Sequence, residues 1–112
     1  MRGEAERLLR DLVQRNPGDR RMIRMLGNVL QNRQAYAEAL AVYRQAAALP
    51  GGDARAELYG AEMLEKLGRP DEADAAADRS LAVQTTGAAG LFKVNLARKR
   101  GDLAKARAEL AK

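Results

Sequence analysis

Three aspartates form the clearest set of side chains whose spacing could do chemistry. Asp71, Asp74 and Asp78 recur at i, i+3 and i+7, so a helix would carry them on one side, where their carboxylates could bind a hard cation. Carboxylates in this pattern are also typical of a solvated helix face near an N-terminus, where the helix dipole favours negative charge. We favour the second interpretation and predict no metal site.

Candidate catalytic groups are scarce in the rest of the chain. Cysteine and histidine are absent, which excludes disulfides, thiolate nucleophiles, zinc sites and imidazole bases. The aliphatic hydroxyls are Ser80, Thr85 and Thr86, and no recognisable base accompanies them. There is also no glycine-rich phosphate loop. We therefore predict a protein without catalytic residues and without a cofactor.

Arginine and amide side chains could bind a ligand instead. Arg24 and Asn28 would lie one helical turn apart, and such a pair could hold a carboxylate through charge-assisted hydrogen bonds. The net charge of +5 is divided into +4 over residues 1–33, −4 over residues 34–86 and +5 over residues 87–112. A nucleic-acid-binding domain usually has one continuous basic face, so this division argues against RNA or DNA as the main partner.

The composition favours close-packed helices. Alanine is abundant and aromatic residues make up only 4% of the chain, whereas strands are enriched in β-branched and aromatic residues. No apolar run approaches the roughly 18 residues of a membrane-spanning helix. The charged first ten residues do not form a signal-peptide core, so the cytoplasm is slightly favoured as the compartment.

A period of 34 residues runs along the chain. The dipeptides Glu4-Ala5, Glu38-Ala39 and Glu72-Ala73 follow one another at this spacing, and Lys105-Ala106 comes 33 residues after the last of them. Each period holds two helical patterns, which predicts a solenoid of helix pairs. The predicted helices cover about residues 3–15, 20–32, 37–49, 54–68, 71–84 and 91–100, with one more after Asp102. Asp19, Asp53 and Asp102 are their predicted N-caps, Gly101 ends the sixth helix, and TTGAAG (85–90) is a loop.

This pattern resembles the tetratricopeptide repeat (TPR). The segments LGNVLQNRQAYAEALAVYRQAAALP (26–50) and YGAEMLEKLGRPDEADAAADRSLAV (59–83) carry most of the resemblance. It implies an all-α, right-handed α-α superhelix, a TPR-like solenoid of about seven helices in antiparallel pairs. The single domain 1–112 then consists of a half repeat at 3–18 (second helix only), repeats at 19–52 and 53–86, and a divergent, truncated repeat at 87–112.

The resemblance also implies where a partner binds. In tetratricopeptide proteins the first helices of successive pairs line a concave groove that takes an extended peptide or a partner helix. By register, the predicted groove residues are Arg21, Arg24, Met25, Asn28 and Gln31 on one helix and Arg55, Tyr59 and Glu62 on the next. Some family members clamp a C-terminal carboxylate, but only Arg24 and Asn28 match that clamp. We therefore expect a less specialised contact of Arg21 and Arg24 with an acidic peptide.

The first helix suggests a second surface. Its register makes it the second helix of a repeat, so its apolar residues would lack their usual neighbour. We expect them to form a self-association surface or the contact with adjoining repeats. These residues are Leu8, Leu9, Leu12 and Val13.

The sequence therefore predicts a non-catalytic protein–protein interaction scaffold that binds a peptide or partner helix in a concave groove. The alternative is a homo-oligomeric self-assembly module or a fragment of a longer TPR scaffold. A basic RNA-binding repeat is the third possibility.

Overall fold

A computed structural model describes the backbone of residues 2–110 and the side chains of residues 3–101. The helices are α1 (Arg2–Arg15), α2 (Arg20–Asn32), α3 (Tyr36–Ala47), α4 (Ala54–Lys66), α5 (Pro70–Val83) and α6 (Gly87–Leu110). Each helix packs mainly on the helix before it and the helix after it, and the molecule measures 59 × 31 × 18 Å. This row of consecutive helices is the all-α solenoid that the period predicts.

Aspartates begin two of the helices, as predicted. Asp19 Oδ1 accepts a hydrogen bond from the Met22 N–H at 3.2 Å, and Asp53 Oδ1 accepts one from the Ala56 N–H at 3.2 Å. These bonds satisfy backbone donors that the first turns of α2 and α4 leave unpaired. Gly68 has a φ of +75° just beyond the end of α4, which is the left-handed geometry of a helix C-terminus.

Small residues allow the helices to cross closely. A Cβ atom added to Gly27 would lie 2.4 Å from Tyr43 Cε1, so the Tyr43 ring packs directly on the backbone of α2. Ala39, Ala61 and Ala73 are 0% exposed. Gly27 and Ala61, like Ala39 and Ala73, stand one 34-residue period apart, so the close crossings recur with the repeat.

The last helix differs from the prediction. We expected a loop at 85–90, a helix end at Gly101 and a new helix after Asp102, but α6 is continuous from Gly87 to Leu110. Thr86 explains the early start, because its Oγ1 accepts a hydrogen bond from the Ala89 N–H at 3.2 Å and so caps the helix. Gly101 is not among the glycines with positive φ, and a helical glycine weakens a helix without ending it. The described backbone therefore holds six helices, not seven.

Candidate functional site

A cleft of about 340 Å³ lies between α4 and the start of α6. Its walls combine apolar and charged side chains, since Leu58 and Tyr59 lie beside Arg55 and Glu62. A second cleft of about 360 Å³ continues along the same two helices and is lined by Glu62, Glu65, Lys66 and Phe92. Three predicted groove residues, Arg55, Tyr59 and Glu62, are therefore brought together by the fold.

Tyr59, which lines this cleft, packs against the buried Tyr43. The rings of Tyr43 and Tyr59 have centroids 5.3 Å apart and are tilted by 47°, a favourable arrangement for two aromatic rings. The Tyr43 hydroxyl lies 2.6 Å from Asn28 Oδ1 and 3.0 Å from Gln31 Oε1, within hydrogen-bonding distance of both. Burial of Tyr43 raises the pKa of its hydroxyl far above the usual value, with smaller contributions from Tyr59 and Glu62. The hydroxyl is therefore neutral and tethers α3 to α2.

Arg24, a predicted ligand-binding residue, is engaged inside the protein. Its Nη1 donates to Asp53 Oδ2 at 2.7 Å, and the two side chains are only 18% and 4% exposed. Because Asp53 also caps α4, this ion pair fixes α2 against the start of α4. Arg24 would have to leave Asp53 before it could hold an acidic ligand.

The other predicted residues on the first groove helix are more accessible. Arg21 and Asn28 are exposed, Met25 is 47% exposed, and Gln31 is partly buried. On α4, Arg55 is exposed. The accessible positive charges among the predicted groove residues are therefore Arg21 and Arg55.

Glu62 lies where the two clefts meet and is half-buried. Burial raises the pKa of its carboxyl, the nearby Lys66 acts in the opposite direction, and Glu65 raises the pKa further. The clefts thus present a carboxyl group that would gain from a cationic or hydrogen-bond-donating partner.

The four residues predicted on α1 do not lie in one environment. Leu8 is 59% exposed, Leu9 and Leu12 are partly buried, and Val13 is only 6% exposed and belongs to the core. The expectation of an accessible Val13 is therefore wrong, because this residue packs towards α2. Leu8 is the most accessible apolar side chain of the set.

The hydroxyl of Ser80 and the three aspartates considered as a metal site make other contacts within the fold. The Ser80 hydroxyl is buried and donates to the Ala54 carbonyl oxygen at 2.8 Å. Lys93 pairs with Asp78 and with Asp74, and Arg100 pairs with Asp71. Within residues 3–101, acidic side chains do not gather into a group that could hold a metal ion. Of the helices described here, none is both long and apolar enough to cross a membrane.

Sequence reasoning missed several contacts that shape the site. The pairing of Arg24 with Asp53 joins residues 29 positions apart, and Thr86 lines the cleft as well as capping α6. Lys99 pairs with Glu65, which stands 34 residues earlier. A search for opposite charges one period apart would have found this last contact.

Comparison with known proteins gives matches among solved structures. Neither a family model nor a curated protein matches the chain. The structure of PcrH in complex with the chaperone-binding region of PopD matches with a TM-score of 0.71 and 20% identity, covering 95% of this chain and 80% of that one. The type III secretion translocator chaperone SycD of Yersinia enterocolitica matches with a TM-score of 0.73 and 17% identity, covering 95% and 74%.

MamA is a third structure with the same arrangement of helices. It has a TM-score of 0.76 and 17% identity, and the match covers 91% of this chain but only 60% of MamA. At these identities the likeness establishes the fold. The chain has a TPR-like helical-repeat fold, and the predicted fold class is confirmed.

Proposed function

We propose that this chain is a non-catalytic protein-interaction scaffold that binds an extended peptide or a partner helix along α2, α4 and α6. The observation that carries the proposal is the convergence of Arg55, Tyr59 and Glu62 on one cleft between α4 and α6. The PcrH structure supports it, because a chain of the same fold was solved there with a segment of another protein, PopD.

The clefts have the chemistry of a protein-binding surface. Apolar contact area comes from Leu58, Tyr59 and Phe92, and polar groups at the edges can fix the direction of a bound chain. Tyrosine and arginine are among the residue types enriched at the energetically dominant positions of protein interfaces. The partner we infer has an apolar side chain for the cleft and an acidic group for Arg55 or Arg21.

Three basic residues in the described part of α6 favour a protein partner over RNA. Lys93, Lys99 and Arg100 each pair with a carboxylate of α4 or α5. Their charge is thus partly neutralised within the fold, whereas a phosphate-binding surface needs accessible cationic side chains that are not paired with carboxylates. The RNA-binding alternative has no comparable support.

Selection from a phage-displayed library of random peptides would test the proposal. A selected peptide would be labelled and titrated against the wild type, Arg55→Glu and Tyr59→Ala by fluorescence anisotropy. We expect each variant to weaken binding by about tenfold or more, equivalent to about 1.4 kcal/mol. Arg44→Glu, an exposed charge reversal on α3, is the matched control and should leave the affinity unchanged.

Two outcomes would contradict the proposal. One is a failure to select any peptide that binds the wild type. The other is a peptide whose affinity is the same for the wild type and Arg55→Glu, because Arg55 is exposed and its replacement should leave the fold intact.

A further inference from the structure

The first cleft, of about 340 Å³, has opposite charges at its two ends. Four residues of α4 line it at positions i, i+3, i+4 and i+7, which share one helical face: Arg55, Leu58, Tyr59 and Glu62. At a rise of about 1.5 Å per residue, Arg55 and Glu62 stand about 10.5 Å apart along the helix axis. Leu58 and the ring of Tyr59 therefore separate a basic end of the cleft from an acidic end.

The basic end opens into a third cleft that carries further positive charge. This cleft of about 390 Å³ shares Arg55 with the first cleft and is also lined by Arg20, Arg24 and Asp53. Arg24 is paired with Asp53, whereas Arg20 donates hydrogen bonds to two backbone carbonyl oxygens of the loop between α3 and α4, which carry no net charge. Among the described side chains, no carboxylate forms an ion pair with Arg20 or Arg55, so this end attracts an acidic group.

The acidic end holds a carboxylate that forms no ion pair with the described side chains. Its neighbours are engaged elsewhere, since Glu65 pairs with Lys99 and the Lys66 ammonium lies 5.4 Å from the centre of the Tyr36 ring, a cation–π contact. Glu62 itself is half-buried between the first and second clefts. Because a partly buried charge is stabilised by an opposite charge, this end favours a basic group of a partner.

The spacing of these charges matches a helical partner better than an extended one. Two helices that lie side by side have the same rise, so residues seven apart on the partner also share one face and stand about 10.5 Å apart. The partner's positions i+3 and i+4 then lie over Leu58 and Tyr59. In an extended strand the side chains of one face repeat every 7 Å or so, so that pairs fall at about 7 or 13 Å and miss this spacing.

We propose that the segment bound along α4 is an amphipathic partner helix with an acidic and a basic residue seven positions apart and apolar residues between them. Its carboxylate lies at Arg55 and its basic group lies at Glu62, while its apolar face enters the cleft. This inference rests on the proposed function and adds the conformation and the charge pattern of the partner. The opposite placement of the helix would bring like charges together at both ends, which lowers affinity.

A phage-displayed library built on a helical scaffold tests this pattern. The scaffold is an alanine-rich peptide of about 18 residues, long enough to form a helix on its own. Its positions i, i+3, i+4 and i+7 on one face are randomised, and the library is selected against the wild type. We expect the selected peptides to carry an acidic residue at one end of this set, a basic residue at the other end and apolar residues between them.

Charge exchange between protein and peptide then assigns each end, with fluorescence anisotropy as the measurement. Arg55→Glu should weaken a selected peptide by about tenfold or more, and changing the peptide's acidic residue to lysine should restore the affinity. Glu62→Lys should be rescued only when the peptide's basic residue becomes glutamate, and Glu62→Gln, which keeps the side-chain size, should weaken the preference for that basic residue. Arg44→Glu and Glu4→Lys reverse exposed charges outside the three clefts and should leave the affinity unchanged.

The outcomes separate this inference from the proposed function. If random peptides bind the wild type but the helical library yields no binder, the helical partner is wrong and the interaction scaffold stands. Helical binders with two acidic residues, or with no preferred charge, at i and i+7 would overturn the charge pattern. Rescue of Arg55→Glu by a change at the peptide's basic residue would overturn the placement of the two ends. If neither library yields a binder, the proposed function fails together with this inference.

Discussion

At the scale of single residues, Asp53 joins two helices, α2 and α4. One carboxylate oxygen of Asp53 accepts a hydrogen bond from the Ala56 N–H at the start of α4. The other accepts a hydrogen bond from the Arg24 guanidinium of α2. The residue is 5% exposed, so both bonds lie away from bulk water. Its loss would therefore remove a helix cap and leave a largely buried guanidinium without its partner.

We expect Asp53→Ala to lower the free energy of unfolding by about 3 kcal/mol, the sum of a lost cap and an unpaired buried charge. Asp19→Ala is the matched control, because Asp19 caps α2 through the same type of bond but is partly exposed. Its cost should be about 1 kcal/mol. Urea denaturation followed by circular dichroism measures both, and equal losses would contradict the proposed importance of the Arg24 contact.

Gly27 and Gly60 offer a second matched comparison. A Cβ at Gly27 would lie 2.4 Å from Tyr43 Cε1, whereas a Cβ at Gly60 would lie 3.6 Å from Leu40 Cδ1, an ordinary contact. Gly27→Ala should destabilise the protein by about 1–3 kcal/mol through overpacking. Gly60→Ala should be neutral or stabilising by up to about 1 kcal/mol, because alanine favours the helix. The same urea denaturation decides the comparison, and Gly27→Ala as stable as Gly60→Ala would show that Tyr43 can move.

At the scale of elements, the helices that obey the period were predictable to within about two residues, and α6 was not. Helices α2 and α4 begin after aspartate caps and lie between clear turn residues, so local sequence defines them. Around α6 the local signals conflict, because glycines stand at positions 87, 90 and 101 of an otherwise helical segment. Thr86 is a weaker sequence signal than aspartate, and its role as a cap depends on a backbone geometry that only the structure shows.

The continuity of α6 can be tested at Gly101. If residue 101 is helical, Gly101→Ala should stabilise the protein by about 1 kcal/mol, because alanine has the higher helix propensity. The matched control is Gly68→Ala, which should destabilise by about 1–2 kcal/mol, because Gly68 has a φ of +75° that disfavours a side chain. Thermal denaturation measures both shifts. A loss of stability in Gly101→Ala would contradict a continuous α6 and would support the helix end at Gly101 that the sequence predicted.

At the scale of the whole molecule, stability is built from contacts between neighbouring helices. The internal helices pack on a neighbour at either side, whereas α1 packs on α2 and α6 packs on α5. In such a solenoid, local stability falls where a repeat has fewer neighbours. The terminal helices α1 and α6 are therefore the parts of the described structure with the fewest stabilising contacts.

Hydrogen exchange should reveal this gradient. At low protein concentration, we expect amides of α1 and of the described part of α6 to exchange faster than those of α3 and α4. Mass spectrometry of proteolytic fragments would measure the rates. Uniform protection along the chain at low concentration would contradict a solenoid with weaker ends.

The candidate site was predictable only in part at this scale. Register correctly indicated that Arg55, Tyr59 and Glu62 share a surface, because they lie on one face of α4. It could not indicate that Arg24 is held by Asp53 or that Val13 is buried, since both depend on how one helix meets the next. The 34-residue period fixes which faces meet, whereas the choice of partner for each charged side chain depends on distances that a sequence does not contain.

The ring contact between Tyr43 and Tyr59 has a practical consequence for spectroscopy. The chain contains three tyrosines and no tryptophan, so its intrinsic ultraviolet emission comes from tyrosine alone. Tyr59 lines the cleft while its ring touches that of the buried Tyr43. A peptide or partner helix bound in the cleft would thus alter the emission of the unlabelled protein. Any tryptophan emission from such a complex would come from the bound partner.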